Sequence, residues 1–259
     1  MPEERWGERD ARWYDELAAA MFDPAVVDPI VDVLAELAGP GGALELGIGT
    51  GRIALPLAER GVRVHGIDVS AAMVARLRAK PGGQDIGVTI GDFATTRVEG
   101  CFAVAYMVWN AITNLTTQDE QVACFQNAAG HLGPGGRLVV EVDVPALQRL
   151  PAGETVRPFA IGPTRLGFDE YDVVAQGVRS HHFWRTGTTF EASSAPYRYV
   201  WPSELDLMAR LAGLRLRHRW GGWKQEPFTA ESTAHVSVWE AAPRPGDPPA
   251  RASTGAPGG

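Results

Sequence analysis

Residues 43–61 read ALELGIGTGRIALPLAERG. An apolar run of strand length ends in Glu45-Leu46, and glycine then recurs at alternate positions, Gly47, Gly49 and Gly51, before a stretch of helix-forming residues. Alternate glycines let the backbone pass close beneath a bulky ligand with no Cβ in the way. The spacing is G-x-G-x-G, not the G-x-G-x-x-G of dinucleotide-binding turns, so the turn need not be built around a pyrophosphate.

Working outward, the same rhythm repeats. Strand-like runs are expected at 43–47, 62–68, 86–91, 102–109 and 137–144, with helical segments at 51–60, 70–79 and 117–132 between them. The last of these helices opens with Thr117 and Glu120, spaced as a capping box. Upstream, one helix is expected from Arg9 to Phe22, with an apolar stripe of Trp13, Tyr14, Leu17 and Met21. A second is capped by Asp23, has Pro24 at its first position and stops at Gly39-Pro40. Strands that are apolar almost throughout and alternate with helices indicate a parallel sheet covered on both faces, an α/β fold. After Pro145 the rhythm changes to short aromatic and β-branched runs, which predict a small antiparallel β insertion. A helix from Ser203 to Leu211 and two closing strands, LRLRHRW (214–220) and AHVSVWEA (234–241), follow. The organisation expected is an N-terminal lid helix over 1–22, a ligand-binding core over 23–150, the insertion over 151–201, closing elements of the core over 202–241 and a Pro/Gly-rich disordered tail over 242–259.

Composition removes several function classes. The chain has 259 residues, a net charge of −7, 45% hydrophobic and 21% charged residues. That acidic balance argues against nucleic acid, which needs a concentrated basic surface. The densest basic run, RLAGLRLRHRW (210–220), alternates with leucine as a strand with one solvated face does. The only two cysteines, Cys101 and Cys124, lie in apolar segments, so neither a disulfide scaffold nor a thiolate zinc site is expected. No apolar run is long enough to span a membrane, and the charged N-terminus is unlike a signal peptide; a cytoplasmic location is expected.

Two further features say which nucleotide fits. Asp68 lies 21 positions after Gly47, at the end of the next predicted strand, where a carboxylate can accept from both ribose hydroxyls. Gly91-Asp92-Phe93 ends the third strand, where Asp92 can accept from an adenine amine and Phe93 can stack on the ring. ELGIGTG (45–51), Asp68 in GIDVS, GDFA (91–94) and HLGPGGRLVVEV (131–142) together resemble the motif series of class I S-adenosylmethionine-dependent methyltransferases. The resemblance runs from about residue 12 to 145. It implies a Rossmann-like seven-stranded sheet of order 3-2-1-4-5-7-6 with strand 7 antiparallel, which the two closing strands suit. It also implies that Glu45, Gly47, Gly49, Gly51, Asp68, Val69, Met73, Asp92, Phe93 and Trp109 line the S-adenosyl-L-methionine site, and that Tyr14 reaches toward the methyl group from the lid helix. Trp109 could favour a sulfonium through its ring quadrupole; core packing is the plain alternative for both aromatics. Glu45 suits a cationic ligand and would sit poorly against a diphosphate, which favours S-adenosylmethionine over NAD.

Methyl transfer from a sulfonium is an in-line displacement, so alignment and exclusion of water matter more than a protein nucleophile. A base is needed only where the acceptor is protonated. The insertion carries Ser180-His181-His182-Phe183-Trp184. Adjacent histidines on a strand point to opposite faces, which disfavours a shared metal and leaves one of the two as a candidate base; His181 is the candidate, by the resemblance. Phe183, Trp184, Tyr197, Tyr199 and Trp201 could wall an acceptor pocket, form the underside of a small sheet or make a homodimer contact. Glu141 and Asp143 face the crevice at the carboxyl end of the fifth strand, where either could steer an amine or both could be plain surface carboxylates. The expected function is methylation of a nitrogen or oxygen nucleophile of a small molecule. The alternatives are a methyltransferase-fold protein that binds the cofactor for a non-methylating reaction, and a non-catalytic binding protein.

Overall fold

The computed structural model describes residues 7–242, except the side chains of residues 9, 10, 13 and 17. The expected tail therefore lies outside the described residues from 243 onward, as do the Trp13 and Leu17 side chains of the N-terminal stripe. Five parallel strands make most of a seven-stranded sheet: β1 (Ala43–Leu46), β2 (Val64–Asp68), β3 (Gly87–Ile90), β4 (Phe102–Met107) and β5 (Leu132–Asp143). With the closing strands β10 (Leu214–Trp220) and β11 (Ala234–Ala241), the order is β10-β11-β5-β4-β1-β2-β3. β11 runs antiparallel to both β5 and β10, and this is the expected 3-2-1-4-5-7-6 sheet.

Strand alternation sends successive side chains to opposite layers. Leu44, Leu46, Ala105 and Met107 pack with Phe125, Leu205 and Trp239 on the side of α5 (Gln118–His131) and α6 (Pro202–Leu211). Ala43, Val104 and Tyr106 pack on the other side with Val31, Leu34, Leu57 and Leu77 of α2 (Pro24–Ala38), α3 (Ala54–Glu59) and α4 (Ala71–Arg78). The expected capping box closes the start of α5, with Thr117 Oγ1 accepting from Glu120 N and Glu120 Oε2 accepting from Thr117 N.

Several boundaries differ from expectation, each for a local reason. The N-terminal helix α1 (Glu8–Leu17) stops at Ala18, and a separate 3-10 turn covers Ala19–Phe22. Strand β4 ends at Met107 because Trp109 and Asn110 take left-handed backbone, φ 49° and 62°. Strand β5 starts at Leu132 rather than 137: Leu132 pairs with Phe102, the Gly133–Gly136 excursion follows, and regular pairing resumes at Val104 with Arg137.

Between β5 and α6 the chain forms a second, antiparallel sheet, β6 (Val156–Ile161), β7 (Arg165–Asp172), β8 (Gly177–Thr186) and β9 (Thr189–Arg198), in that order. Its return to the core is fixed by a buried polar cluster. Arg198 donates to Gln121 Oε1 (2.5 Å) and to Glu204 Oε1 (2.7 Å), while Gln176 and Gln118 also donate to Glu204. Burial pushes the Glu204 carboxyl up, but these hydrogen bonds outweigh it and hold it below the usual carboxylate range.

Candidate active site

The glycine turn follows β1 at the carboxyl edge of the sheet. Gly47, Gly49 and Gly51 have φ of 88°, 53° and 81°. A Cβ at Gly49 would point into open space, whereas one at Gly51 would meet Leu77 at 3.0 Å and Leu55 at 3.2 Å, so the turn is bare at Gly49 and packed against the core at Gly51. Asp68 ends β2 beside it. Its Oδ2 accepts from Gly49 N (2.6 Å) and its Oδ1 from Ser70 N (2.9 Å). Burial raises the Asp68 carboxyl, and the N–H groups of Ser70, Gly49 and Val69 oppose that rise. Ser70 in turn caps α4 by accepting from Met73 N (3.1 Å), which leaves Met73 buried under the turn while Val69 is half-buried. Phe93 is half-buried with its ring beside Gly47, and Asp92 Oδ1 accepts from Ala94 N (2.8 Å).

Below the turn, parallel register sets Glu45 beside Tyr106. Both side chains are buried, and the Tyr106 hydroxyl donates to Glu45 Oε2 (2.9 Å). Burial pushes the Glu45 carboxyl up to about 8, against the lowering effects of the Tyr106 hydrogen bond and the Arg52 guanidinium. Burial likewise raises the Tyr14 hydroxyl well above its ordinary value.

The far side of the crevice is built on strained backbone. Trp109 N donates to Glu141 Oε2 (2.8 Å), Asn110 Nδ2 donates to Asp143 Oδ2 (3.0 Å), and Asp143 N donates to Asn110 Oδ1 (2.7 Å). Two consecutive non-glycine residues with positive φ cost of order 1–3 kcal/mol each, and these side-chain bonds offset it. The Trp109 ring lies 5.9 Å from that of Tyr14, and the Arg52 guanidinium sits 5.3 Å over it. One face of the indole expected to meet a sulfonium thus already carries a cation.

Arg52 and Asp15 were missed by sequence reasoning. Arg52 follows the last glycine of the motif, but its side chain is placed only by the fold: its guanidinium donates to Met21 O (3.3 Å), and its charge lowers the carboxyl of Glu45 and the hydroxyl of Tyr14 against their burial. Asp15 clasps α1 to the turn, accepting from Thr50 Oγ1 (2.6 Å) and pairing with Lys80 Nζ (2.5 Å), which also donates to Thr50 O (2.9 Å). Replacing Asp15 by alanine is expected to release α1. The cost is about 1 kcal/mol, because the pair is partly solvated. The readout is faster hydrogen exchange confined to residues 8–17; unchanged exchange there would show that other contacts hold the helix.

The insertion brings one face of its sheet toward this crevice. Register puts Asp169, Ser180 and Ala195 side by side, flanked by Tyr171, Val178 and Tyr197 on one side and Gly167, His182 and Ser193 on the other. Tyr171, Ser180 and Gly167 on this face are buried, whereas Leu166, Glu170, Arg179 and Ser194 on the other are exposed. Asp143 of the core lies close enough to feel Asp169: burial raises its carboxyl, and the Asp169 charge raises it further. His181 lies on the outer face, stacked on Phe168 (4.7 Å), with Nδ1 at 2.8 Å from Ser194 Oγ and Nε2 at 3.5 Å from Glu170 Oε2. Strand alternation gives the inner face to His182, so the structure does not bring His181, the expected candidate base, to the crevice side of the sheet. Among the described residues no cluster of three or more His, Cys, Asp or Glu could hold a metal ion, and no helix is long and apolar enough to cross a membrane.

Comparison with known proteins agrees with this geometry. Residues 43–136 match a family model described as a methyltransferase domain. Cypemycin N-terminal methyltransferase from Streptomyces sp is 28% identical, over 85% of this chain and 99% of its own. The sugar N-methyltransferase KedS8 from Streptoalloteichus sp shares the fold at 18% identity, with a TM-score of 0.61 over 87% of this chain and 92% of its own. The CcbJ methyltransferase from Streptomyces caelestis is 37% identical and superimposes with a TM-score of 0.76, covering 83% of this chain and 88% of that one. On the turn, the strand order and these relatives, the chain belongs to the S-adenosylmethionine-dependent methyltransferases of the class I fold.

Proposed function

We propose that this enzyme methylates an amine nitrogen of a small molecule held between the carboxyl edge of the sheet and the inner face of the insertion. The observation that carries the proposal is the charge of that space. Glu141, Asp143 and Asp169 supply carboxylates to it, and burial raises both aspartates rather than leaving them as free surface acids. Partly desolvated carboxylates favour a cation, and an amine arrives as one at neutral pH. The relative from Streptomyces whose name places its reaction at an N-terminus supports nitrogen as the acceptor atom.

The residues of the turn fit the cofactor. The open backbone at Gly49 leaves room for a flat ligand, Asp68 keeps a lone pair for a ribose beyond the three N–H groups it already accepts, and Phe93 offers a ring face beside Gly47. Asp92 would take the adenine amine, Val69 and Met73 would shape the pocket around the base, Gly47 would let the chain pass under the ligand, Gly51 would let the turn close onto Leu77 and Leu55, and Arg52 would meet the aminoacyl carboxylate. Bound S-adenosylmethionine supplies a methyl group made electrophilic by a sulfonium. Glu45, protonated in the free protein, would give up that proton to become a buried counter-charge for the cationic end, while Trp109 and Tyr14 exclude water from the reacting end and the carboxylates opposite align the amine.

The test is a transfer assay with methyl-labelled S-adenosylmethionine against benzylamine, a methyl 3-amino-3-deoxyhexoside, alanyl-alanine, phenol and benzoic acid, with the label located by mass spectrometry. Label on nitrogen is the expected result. Label on phenol or benzoate alone would contradict it.

A further inference from the structure

The inner face of the insertion holds a hydrogen-bonded series that ends on the acceptor side. Arg165 Nη2 lies 3.3 Å from His182 Nδ1, His182 Nε2 lies 3.1 Å from Ser180 Oγ, and Ser180 is hydrogen-bonded to the Asp169 carboxyl. The donors can run in only one sense. A guanidinium has no lone pair to offer, so His182 Nδ1 accepts from Arg165, the imidazole proton sits on Nε2 and donates to Ser180, and the Ser180 hydroxyl is left to donate to Asp169. His182 stacks flat on Trp184 (5.4 Å, 7°) and against Phe159 (5.1 Å), which locks its ring.

We infer that Asp169 is the group that receives the acceptor's ammonium proton, and that Ser180, His182 and Arg165 are positioning residues that fix its carboxylate toward the amine. This deepens the amine reading above and rests on it. The proton balance is simple. An N–H proton of the ammonium passes to an Asp169 oxygen, the freed nitrogen lone pair forms the new C–N bond as the S–C bond breaks, and the sulfur keeps that bonding pair as a neutral thioether. The products are a methylated ammonium, S-adenosylhomocysteine and a protonated Asp169 that returns its proton to solvent. Asp169 is suited to this because burial raises it toward the working range, while Ser180, Arg157 and His181 stop the rise. Of the other groups facing it, Asp143 of β5 adds negative charge, and Tyr171 of its own strand, raised by burial, stays neutral. On β6, Arg157 is hydrogen-bonded to Tyr171 and keeps the cluster from being wholly acidic.

The experiment uses the full chain and whichever amine of the panel above carries the most label, with kcat and KM measured from pH 5.5 to 9. In Asp169→Asn, kcat at pH 7 is expected to fall at least tenfold and to recover as pH rises and free amine accumulates, while the Kd for S-adenosylmethionine changes less than twofold. Ser180→Ala removes a donor to the carboxylate, so the acid limb of the kcat/KM profile should move to higher pH. His182→Ala should move it the same way, and His182→Gln, which can both accept from Arg165 and donate to Ser180, should restore it. An unchanged kcat in Asp169→Asn, or an acid limb that stays in place in Ser180→Ala, would overturn the assignment. A wild-type enzyme that labels phenol or benzoate and no amine would overturn the amine reading and this assignment with it, and that result comes from the wild type alone.

Discussion

Glu45→Gln is expected to melt at a higher temperature than the wild type at pH 8.5 when no ligand is bound, and to bind S-adenosylmethionine at least tenfold more weakly. Folded, the Glu45 carboxyl keeps its proton up to about pH 8, against an ordinary value of 4.5 in the unfolded chain. Between those two values the folded protein holds more protons than the unfolded one, so stability is present in full below pH 4.5 and is lost as pH rises through 8. A shift of this size corresponds to at most about 5 kcal/mol, and relaxation around a buried charge reduces that to about 2–4 kcal/mol. Glutamine has the shape of the protonated acid: its oxygen can accept from Ala54 N, and its amide can face the Tyr106 hydroxyl. Melting curves from pH 5 to 8.5 check this. The gap between the two proteins should be smallest near pH 5, widen steadily from there to pH 8 and level off above it. A constant difference across that range would mean that Glu45 does not titrate in the fold. The loss of affinity follows from the same charge, since a cationic ligand is the counter-ion that the buried carboxylate lacks.

Asp68→Ala should raise the Kd for S-adenosylmethionine about 100-fold, roughly 2.7 kcal/mol. Two effects add. The ribose loses its acceptor, and the N–H groups of Gly49 and Ser70, both now satisfied by this one carboxylate, lose theirs. Leaving a buried donor unmade costs about 1–3 kcal/mol, and the turn relaxes to recover part of it. Asp68→Asn keeps one acceptor oxygen and should fall between the two. Calorimetric titration of the three proteins is the check; an alanine variant within threefold of wild type would remove Asp68 from the cofactor site.

The strands of the core were readable because their signals are local, while their order in the sheet was implied by the resemblance. The G-x-G-x-G turn, the acid 21 positions on and the GDFA stretch each mark the end of one strand, and the two closing strands announce themselves by alternation. The faces of the insertion were not readable. A one-residue slip on β8 exchanges His181 for His182, and only the pairing of Ser180 with Asp169 fixes which is inward. The Asp15–Lys80 clasp joins residues 65 positions apart through a third, Thr50, and no sequence pattern marks such a contact. The left-handed pair Trp109-Asn110 was hidden for a related reason: neither residue is a glycine, and the carboxylates that hold the bend come from β5. Glu45 could be placed from the motif, but its retained proton depends on burial against Tyr106, which is a property of the folded sheet.

The most direct measurement is a crystal structure with S-adenosylhomocysteine bound. Ribose hydroxyls are expected within hydrogen-bond distance of Asp68, the adenine against Phe93 with its amine toward Asp92, and the sulfur facing the space between Trp109, Asp143 and Asp169. A ligand seated away from the Gly47–Gly51 turn, or one whose sulfur faces away from the inner surface of the insertion, would contradict this placement.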